Sequence, residues 1–216
     1  MKMKARNKIL LLALCMAALI AVSVLGTMAY LTSTDTVTNT FTVGKVAIKL
    51  DEAKVSTDGA LVEGADRVKE NTYKLLPGHT YNKDPMVTVL SGSESSYVKM
   101  TVTFSKASEL DAIFAPSGAD LTSIFNGYDA ANWISKGNTK DTTADTRTYE
   151  FWYKESVGAP TADVTLDALF DSITVPGTIT GEQLKTIEGM TITVNAYAIQ
   201  ADGFATADAA WAAFGN

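Results

Sequence analysis

The sequence predicts an all-β fold, an antiparallel β-sandwich with short helical insertions that follows a cleaved signal peptide. Three observations predict it. Several segments of four to ten residues alternate apolar and polar side chains with period two. Turn residues and short helical patterns separate these segments at irregular spacing. The chain lacks the strand-helix-strand rhythm of a parallel sheet and lacks internal repeats.

The N-terminus has the three parts of a secretory signal. Four basic residues lie within positions 2–8, and an apolar run interrupted only by Ser23 covers residues 9–25. Small residues at Thr27 and Ala29 predict cleavage between Ala29 and Tyr30. The alternative is an uncleaved anchor, although about 17 apolar residues is the lower limit for crossing a bilayer.

Three regions therefore make up the chain. Residues 1–29 are the predicted signal peptide, residues 30–43 an N-terminal strand, and residues 44–216 a single β-sandwich domain. Cleavage removes Cys15, the chain's one cysteine, so the remaining domain has neither a disulfide nor a thiol nucleophile. Cleavage also removes four positive charges, which changes the formal net charge from −6 to −10. An acidic surface repels nucleic acid and anionic lipid, so neither is an expected partner.

The first strand pattern follows a Thr-rich start. Its apolar residues are Val37, Phe41 and Val43 on one face, followed by Val46, Ile48 and Leu50 on the other. The change of face predicts a β-bulge at Gly44-Lys45. Residues 51–72 are charged and weakly periodic, which indicates a loop or a short hairpin, and Leu76-Pro77-Gly78 indicates a turn.

The middle of the chain contains the clearest strand pattern. Residues 86–90 and 98–104 predict strands, and in the second the apolar residues alternate strictly with Lys and Thr. Ser108 is an expected N-cap for a short helix that reaches Phe114, because Pro116 would end it. Residues 127–146 are polar and predict a loop.

The C-terminal third predicts two strands and three short helices. Residues 147–154 form an aromatic strand, and Tyr149, Phe151 and Tyr153 share its core face. Residues 161–170 and 181–187 are expected to be helical. Residues 190–199 are apolar on both faces, which predicts a strand in the centre of a sheet. A closing helix follows from an N-cap at Thr206 to residue 214, with Trp211 and Phe214 on one face.

No constellation of residues resembles an enzyme site. His79 is the chain's one histidine, and a zinc site usually needs several His or Cys ligands. Its position after Pro77-Gly78 favours an exposed turn residue. The serines lack a nucleophile-elbow pattern, and the carboxylates lack the spacing of a calcium loop. The sequence therefore predicts no catalytic residue, no metal site and no cofactor.

Three stretches resemble the TasA/camelysin (CalY) family of Gram-positive bacteria, whose members carry a SipW-dependent type of signal peptide. The stretches are residues 26–32 with 38–46, residues 76–98 around Leu76-Pro77-Gly78 and Lys83-Asp84-Pro85, and residues 196–204. The first and third are fairly specific, whereas residues 105–190 are not diagnostic. Together they bracket nearly the whole chain.

The resemblance implies a jelly-roll-like sandwich that is exported through a dedicated signal peptidase. Better-known members form extracellular fibres of the biofilm matrix, in which an N-terminal strand of one subunit completes the sheet of the next. Val37, Phe41 and Val43 are then the candidate donor-strand residues, since a free strand can pair with a sheet edge. Alternatively, the same segment folds back onto its own sheet. The metallopeptidase label of camelysin has no support in this sequence.

The sequence thus leaves three functional hypotheses. The first is an exported fibre subunit, extracellular or on the cell surface, which self-associates and meets a signal peptidase but no membrane after processing. The second is a surface module that presents loops 51–72 and 127–146 to a ligand. The third is a metallopeptidase that depends on His79.

Overall fold

The computed structural model describes residues 5–29, 44–114 and 125–214. The predicted residues Tyr30, Val37, Phe41 and Val43 lie outside the described residues. The chain divides into two compact units, Met1–Thr42 and Val43–Asn216. In the first, helix α1 occupies Ala5–Ala29. None of the helices in the described ranges is long and apolar enough to cross a membrane.

The second unit contains the remaining elements, which are mostly strands. In chain order they are β1 (Ile48–Asp51), β2 (Thr80–Asn82), β3 (Met86–Val89), β4 (Ser96–Ser105), α2 (Ala107–Phe114), β5 (Phe125–Asn126), β6 (Trp133–Asp141), β7 (Thr146–Tyr153), β8 (Val164–Thr165), β9 (Ser172–Thr174), α3 (Gly181–Thr186), β10 (Ile192–Gln200) and α4 (Ala207–Ala213).

The strands form three antiparallel sheets. Their orders are β1-β3-β8, β10-β4-β7-β6 and β2-β9-β5. Each named pairing is antiparallel, and the longest aligns β10 with β4 from Ile192 opposite Phe104 to Gln200 opposite Ser96. The prediction of an antiparallel β fold with short helices is confirmed, and the arrangement is consistent with a β-sandwich.

The core lies beneath the central strands β4 and β7. Val98, Met100, Val102 and Phe104 are completely buried, as the alternating pattern of β4 predicts. On β7, Tyr149 and Phe151 are buried with them, which confirms the predicted core face of this strand. Stacking of the Phe104, Phe125 and Phe170 rings extends the core from β4 to β5 and to the residues before β9.

Three predicted elements are wrong. Residues 127–146 contain the nine-residue strand β6, in which only Trp133 is buried, so the polar composition reflects an exposed edge strand and not a loop. Residues 161–170 form no helix. They include the short strand β8, in which Thr165 pairs with Thr88 of β3. The expected bulge at Gly44 is absent, since the described chain is not a strand before Ile48.

Of the two predicted N-caps, Thr206 is confirmed and Ser108 is wrong. Thr206 accepts a hydrogen bond from Ala209 N at the start of α4, as predicted. Helix α3 begins at Gly181 as predicted and has a capping box between Thr180 and Gln183. Ser108 is not the N-cap of α2, because its amide lies inside the helix and donates to the Asp145 carboxylate.

Strand β10 lies at the edge of its sheet, which contradicts the prediction that it is central. Its second apolar face packs against α4, where the Tyr197 and Phe214 rings meet at 5.6 Å between centroids. The Trp211 and Phe214 rings also flank the Lys99 Nζ at 4.7 and 5.3 Å. A helix and not a neighbouring strand therefore accounts for the apolar residues on both faces.

Candidate functional site

The four-stranded sheet has two edges, and one of them is protected against further pairing. On the β6 edge, the register shifts between Ser135 and Asn138, where Gly137 has φ +94°. Lys136 and Lys140 add charges to the same strand. Bulges and lysines are common protections of an exposed edge, because both disfavour the addition of another strand.

The β10 edge has neither protection. Its nine residues, Ile192–Gln200, include no charged residue, proline or glycine, and its register with β4 is continuous. In the described part of the chain, β4 is its sole strand partner. The edge of the neighbouring sheet is β1, which is short and carries Lys49 and Asp51. Thus β10 offers the longest unprotected edge of the described strands.

An apolar groove lies beside the first half of this edge. It has a volume of about 980 Å³ and runs between residues 190–194, residues 68–75, helix α3 and strand β1. Its half-buried apolar lining consists of Leu50, Tyr73, Leu75, Phe114, Leu184, Met190, Ile192 and Val194. An exposed apolar concavity of this size beside a free strand edge is suited to a peptide in extended conformation.

One end of the groove is polar, and the charged side chains there pair with one another. Arg67 Nε lies 2.6 Å from Asp51 Oδ1, and its Nη1 lies 2.8 Å from Asp84 Oδ2. Burial alone would raise the pKa of Asp51, but hydrogen bonds from Lys49 and Arg67, together with their charges, outweigh it and hold this pKa below its ordinary value. This ionic cluster fixes the hairpin of residues 51–72 against the strands.

The same hairpin carries a buried ion pair. Lys83 Nζ lies 2.5 Å from Glu52 Oε2, and each side chain is only 8% exposed. Asn71 donates to the other oxygen of this carboxylate, Oε1, at 3.0 Å. Glu52 also exchanges two backbone hydrogen bonds with Val68. Residues 51–72 therefore form a short hairpin, one of the two possibilities that the sequence left open.

The chain enters the domain at the end of the sandwich opposite to the groove. Lys45 O accepts from Glu94 N at 2.8 Å, and Ala201 N donates to Ser95 O at 2.7 Å, so this entry lies beside the last residue of β10. The groove lies beside residues 190–194, at the beginning of β10. About six residues of strand, or about 20 Å, separate this entry from the near end of the groove at Val194.

His79, which the sequence predicts to be an exposed turn residue, makes contacts near the surface. Its Nε2 lies 2.6 Å from the Asp58 carbonyl oxygen, and its ring meets the Tyr81 ring at 4.9 Å between centroids. Because a carbonyl only accepts, this nitrogen donates the hydrogen. Within the described ranges, no three His, Cys, Asp or Glu side chains are grouped so that they could hold a metal ion.

The predicted site residues belong to the N-terminal region, and the structure places only one of them. Ala29 is the last residue of α1, whereas Tyr30, Val37, Phe41 and Val43 lie outside the described residues. The groove was missed because its walls come from segments far apart in sequence. The sequence of residues 192–200 does contain one indication of the groove. A long strand without charges that is apolar on both faces must pack against other residues on both faces.

Comparison of the chain with protein-family models, with curated proteins and with solved structures finds no match in any of the three.

Proposed function

We propose that this chain is an exported structural protein, a subunit of extracellular matrix fibres that assemble by donor-strand exchange. Residues 1–29 act as a signal peptide of the SipW-dependent type, and cleavage after Ala29 frees the segment that begins at Tyr30. Residues 30–43 of one subunit then add to the β10 edge of the next. In this proposal the domain is a jelly roll of the TasA/camelysin kind and has no enzyme activity.

The observation that carries the proposal is the contrast between the two edges of the four-stranded sheet. The β6 edge has a bulge and lysines, whereas the β10 edge has no such protection and borders an apolar groove. Residues 37–43 in extended conformation are about 23 Å long, and nine residues of β10 provide about 30 Å of edge. The donor segment therefore fits along this edge.

The apolar residues of the donor segment suit the groove. Val37, Phe41 and Val43 share one face of a strand, so all three would point into the groove while the intervening threonines remain in solvent. Half-buried groove residues such as Val194 and Leu75 would become buried on pairing. Burial of these apolar surfaces and the new main-chain hydrogen bonds together stabilise the contact.

Donation to a second copy is favoured over folding back within one copy. The chain enters the domain about 20 Å from the near end of the groove, at the far end of β10. A neighbouring subunit stacked head to tail would deliver its segment without a reversal of the chain at Gly44. Such a contact is heterologous and repeats without closing, which produces a filament.

Two observations count against the alternative that the chain is a ligand-binding surface module. One of its two loops, residues 127–146, contains the nine-residue strand β6. The other, residues 51–72, is held by internal contacts of Arg67 and Asn71. Both observations reduce the area of adaptable loop that a ligand would meet.

Negative-stain electron microscopy tests the proposal with two chains, one from Tyr30 and one from Gly44, both ending at residue 216. We expect filaments from the first and single particles from the second, because only the first has the donor segment. Single particles from both, over the same range of concentration and pH, would contradict the proposal. Filaments from both would show that residues 30–43 are not the donor.

A further inference from the structure

The buried Lys83 and Glu52 and the half-buried Asn71 place an amine, a carboxylate and a carboxamide in contact with one another. The two oxygens of the Glu52 carboxylate bridge the other two side chains, with Oε2 at 2.5 Å from Lys83 Nζ and Oε1 at 3.0 Å from Asn71 Nδ2. Lys83 and Glu52 are each 8% exposed. Removing an ion pair from water costs several kcal/mol for each ion, so a salt bridge alone is a weak reason for burying these groups.

We propose that Lys83 and Asn71 form an intramolecular isopeptide bond between Nζ and Cγ, with Glu52 as the proton shuttle. In the first step, Glu52 Oε2 takes a proton from the Lys83 ammonium and leaves a neutral amine. The lone pair of this amine then attacks Cγ of Asn71, where the new C–N bond forms. A buried lysine beside a base is a well-placed nucleophile.

The surroundings of Asn71 suit the remaining steps. Val55 N donates to Asn71 Oδ1 at 3.1 Å, so a backbone amide already faces the oxygen that gains negative charge after the attack. Glu52 then gives the proton that it took from Lys83 to the leaving nitrogen Nδ2, which already contacts the other oxygen of the same carboxyl group, Oε1. The Cγ–Nδ2 bond breaks, and ammonia leaves. The proton that the attacking nitrogen sheds ends on ammonia as ammonium, so the reaction needs no other reactant.

The backbone holds these groups in place before any reaction. Glu52 exchanges hydrogen bonds with Val68, Lys83 N donates to Asp171 O at 3.0 Å, and Asn71 Nδ2 also donates to Ala53 O at 2.9 Å. A fixed nucleophile and acceptor reduce the entropic part of the barrier. Glu52, Asn71 and Lys83 also line the groove, which gives ammonia a path to solvent.

The bond changes the tryptic peptides of the purified full chain in a way that no other modification of these residues does. Trypsin cleaves after Lys69, Lys74 and Lys99 but not after a Lys83 that is joined through Nζ. We expect residues 70–74 linked to residues 75–99, at the summed mass less one ammonia. Separate peptides 70–74, 75–83 and 84–99 from the folded chain would overturn the proposal. Loss of ammonia from peptide 70–74 alone would indicate a succinimide and would also overturn it.

Three variants assign the roles. We expect no linked peptide from Lys83→Arg, which keeps the charge, and none or a strongly reduced yield from Glu52→Gln. Lys49→Arg is the matched control, because Lys49 also pairs with a carboxylate of this hairpin but is 54% exposed, and it should give the same linked peptide as the wild type. Circular dichroism shows whether Glu52→Gln is folded. A folded Glu52→Gln chain that forms the bond at the wild-type yield would refute the shuttle. The result is independent of fibre formation, so this proposal and the preceding one can fail separately.

Discussion

Replacing Val194 with lysine should weaken fibre assembly while leaving the monomer folded. Val194 is half-buried, lines the groove and belongs to the unprotected edge β10. Asn195, the next residue, is exposed on the opposite face of the same strand, so Asn195→Lys introduces the same side chain outside the groove. Because β10 is an edge strand and Val194 is not fully buried, neither variant should lose the fold.

The expected loss of assembly free energy follows from the apolar surface of Val194 that is no longer buried when lysine replaces it. Pairing buries only the half of the Val194 side chain that is still exposed, which is worth about 0.8 kcal/mol, and the desolvation of an ammonium group in an apolar groove costs at least about 1 kcal/mol more. A loss of about 1.5 kcal/mol corresponds to about a tenfold change in an equilibrium constant. We therefore expect Val194→Lys to raise the critical concentration for fibres at least about tenfold, and Asn195→Lys, which adds a charge to the edge without placing it in the groove, to raise it clearly less.

Sedimentation measures this critical concentration directly. Fibres are pelleted at several total concentrations, and the protein that remains in the supernatant gives the value for each variant. A thermal melt of the unassembled protein serves as the control for folding. Equal critical concentrations for wild type, Val194→Lys and Asn195→Lys would refute the assignment of the groove as the acceptor.

Three further predictions concern the stability of the domain. Phe151→Ala should lower the free energy of unfolding by about 3–5 kcal/mol in urea titrations, because the ring is completely enclosed in the core, whereas a loss under about 1 kcal/mol would mean that this core is not formed. Thr206→Ala should lower it by about 1 kcal/mol through loss of the N-cap of α4, and Thr206→Ser, which keeps the hydroxyl, serves as its control. The lowered pKa of Asp51 means that its pairing stabilises the fold above about pH 4 and is lost as the pH falls through the folded-state value. Asp51→Asn should therefore be less stable than wild type at pH 7, and the difference should shrink towards pH 2; a constant difference in urea midpoints across this range would contradict the assigned ion pairs.

The sequence predicts the parts of this fold that depend on local patterns. Alternation in residues 98–104 predicts the core face of β4, and the Thr206 hydroxyl marks the start of α4. Prediction fails where tertiary contacts decide the structure. Residues 133–141 resemble a loop because an edge strand with both faces largely exposed needs no apolar alternation. Residues 192–200 resemble a central strand because α4 covers one face, and this packing is not visible in the strand itself.

The candidate sites also combine features that local sequence patterns indicate with features that only the fold brings together. The proposed signal peptide and the proposed donor residues Val37, Phe41 and Val43 rest on local patterns of the sequence. The acceptor groove combines residues 68–75, 181–186 and 190–194, and only the fold brings these segments together. The trio of Lys83, Glu52 and Asn71 was missed for the same reason, since Lys, Glu and Asn are ordinary surface residues until burial and one shared carboxylate distinguish them.

The proposed fibre contact requires residues 30–43 to enter the groove beside β10. The most direct measurement is the fluorescence anisotropy of a labelled peptide of residues 30–43 as the chain from Gly44 to residue 216 is added. We expect saturable binding that weakens about tenfold with Val194→Lys. We expect no detectable binding of a peptide that carries Phe41→Asp. The absence of binding, or binding that neither substitution alters, would contradict donation of this segment to the groove.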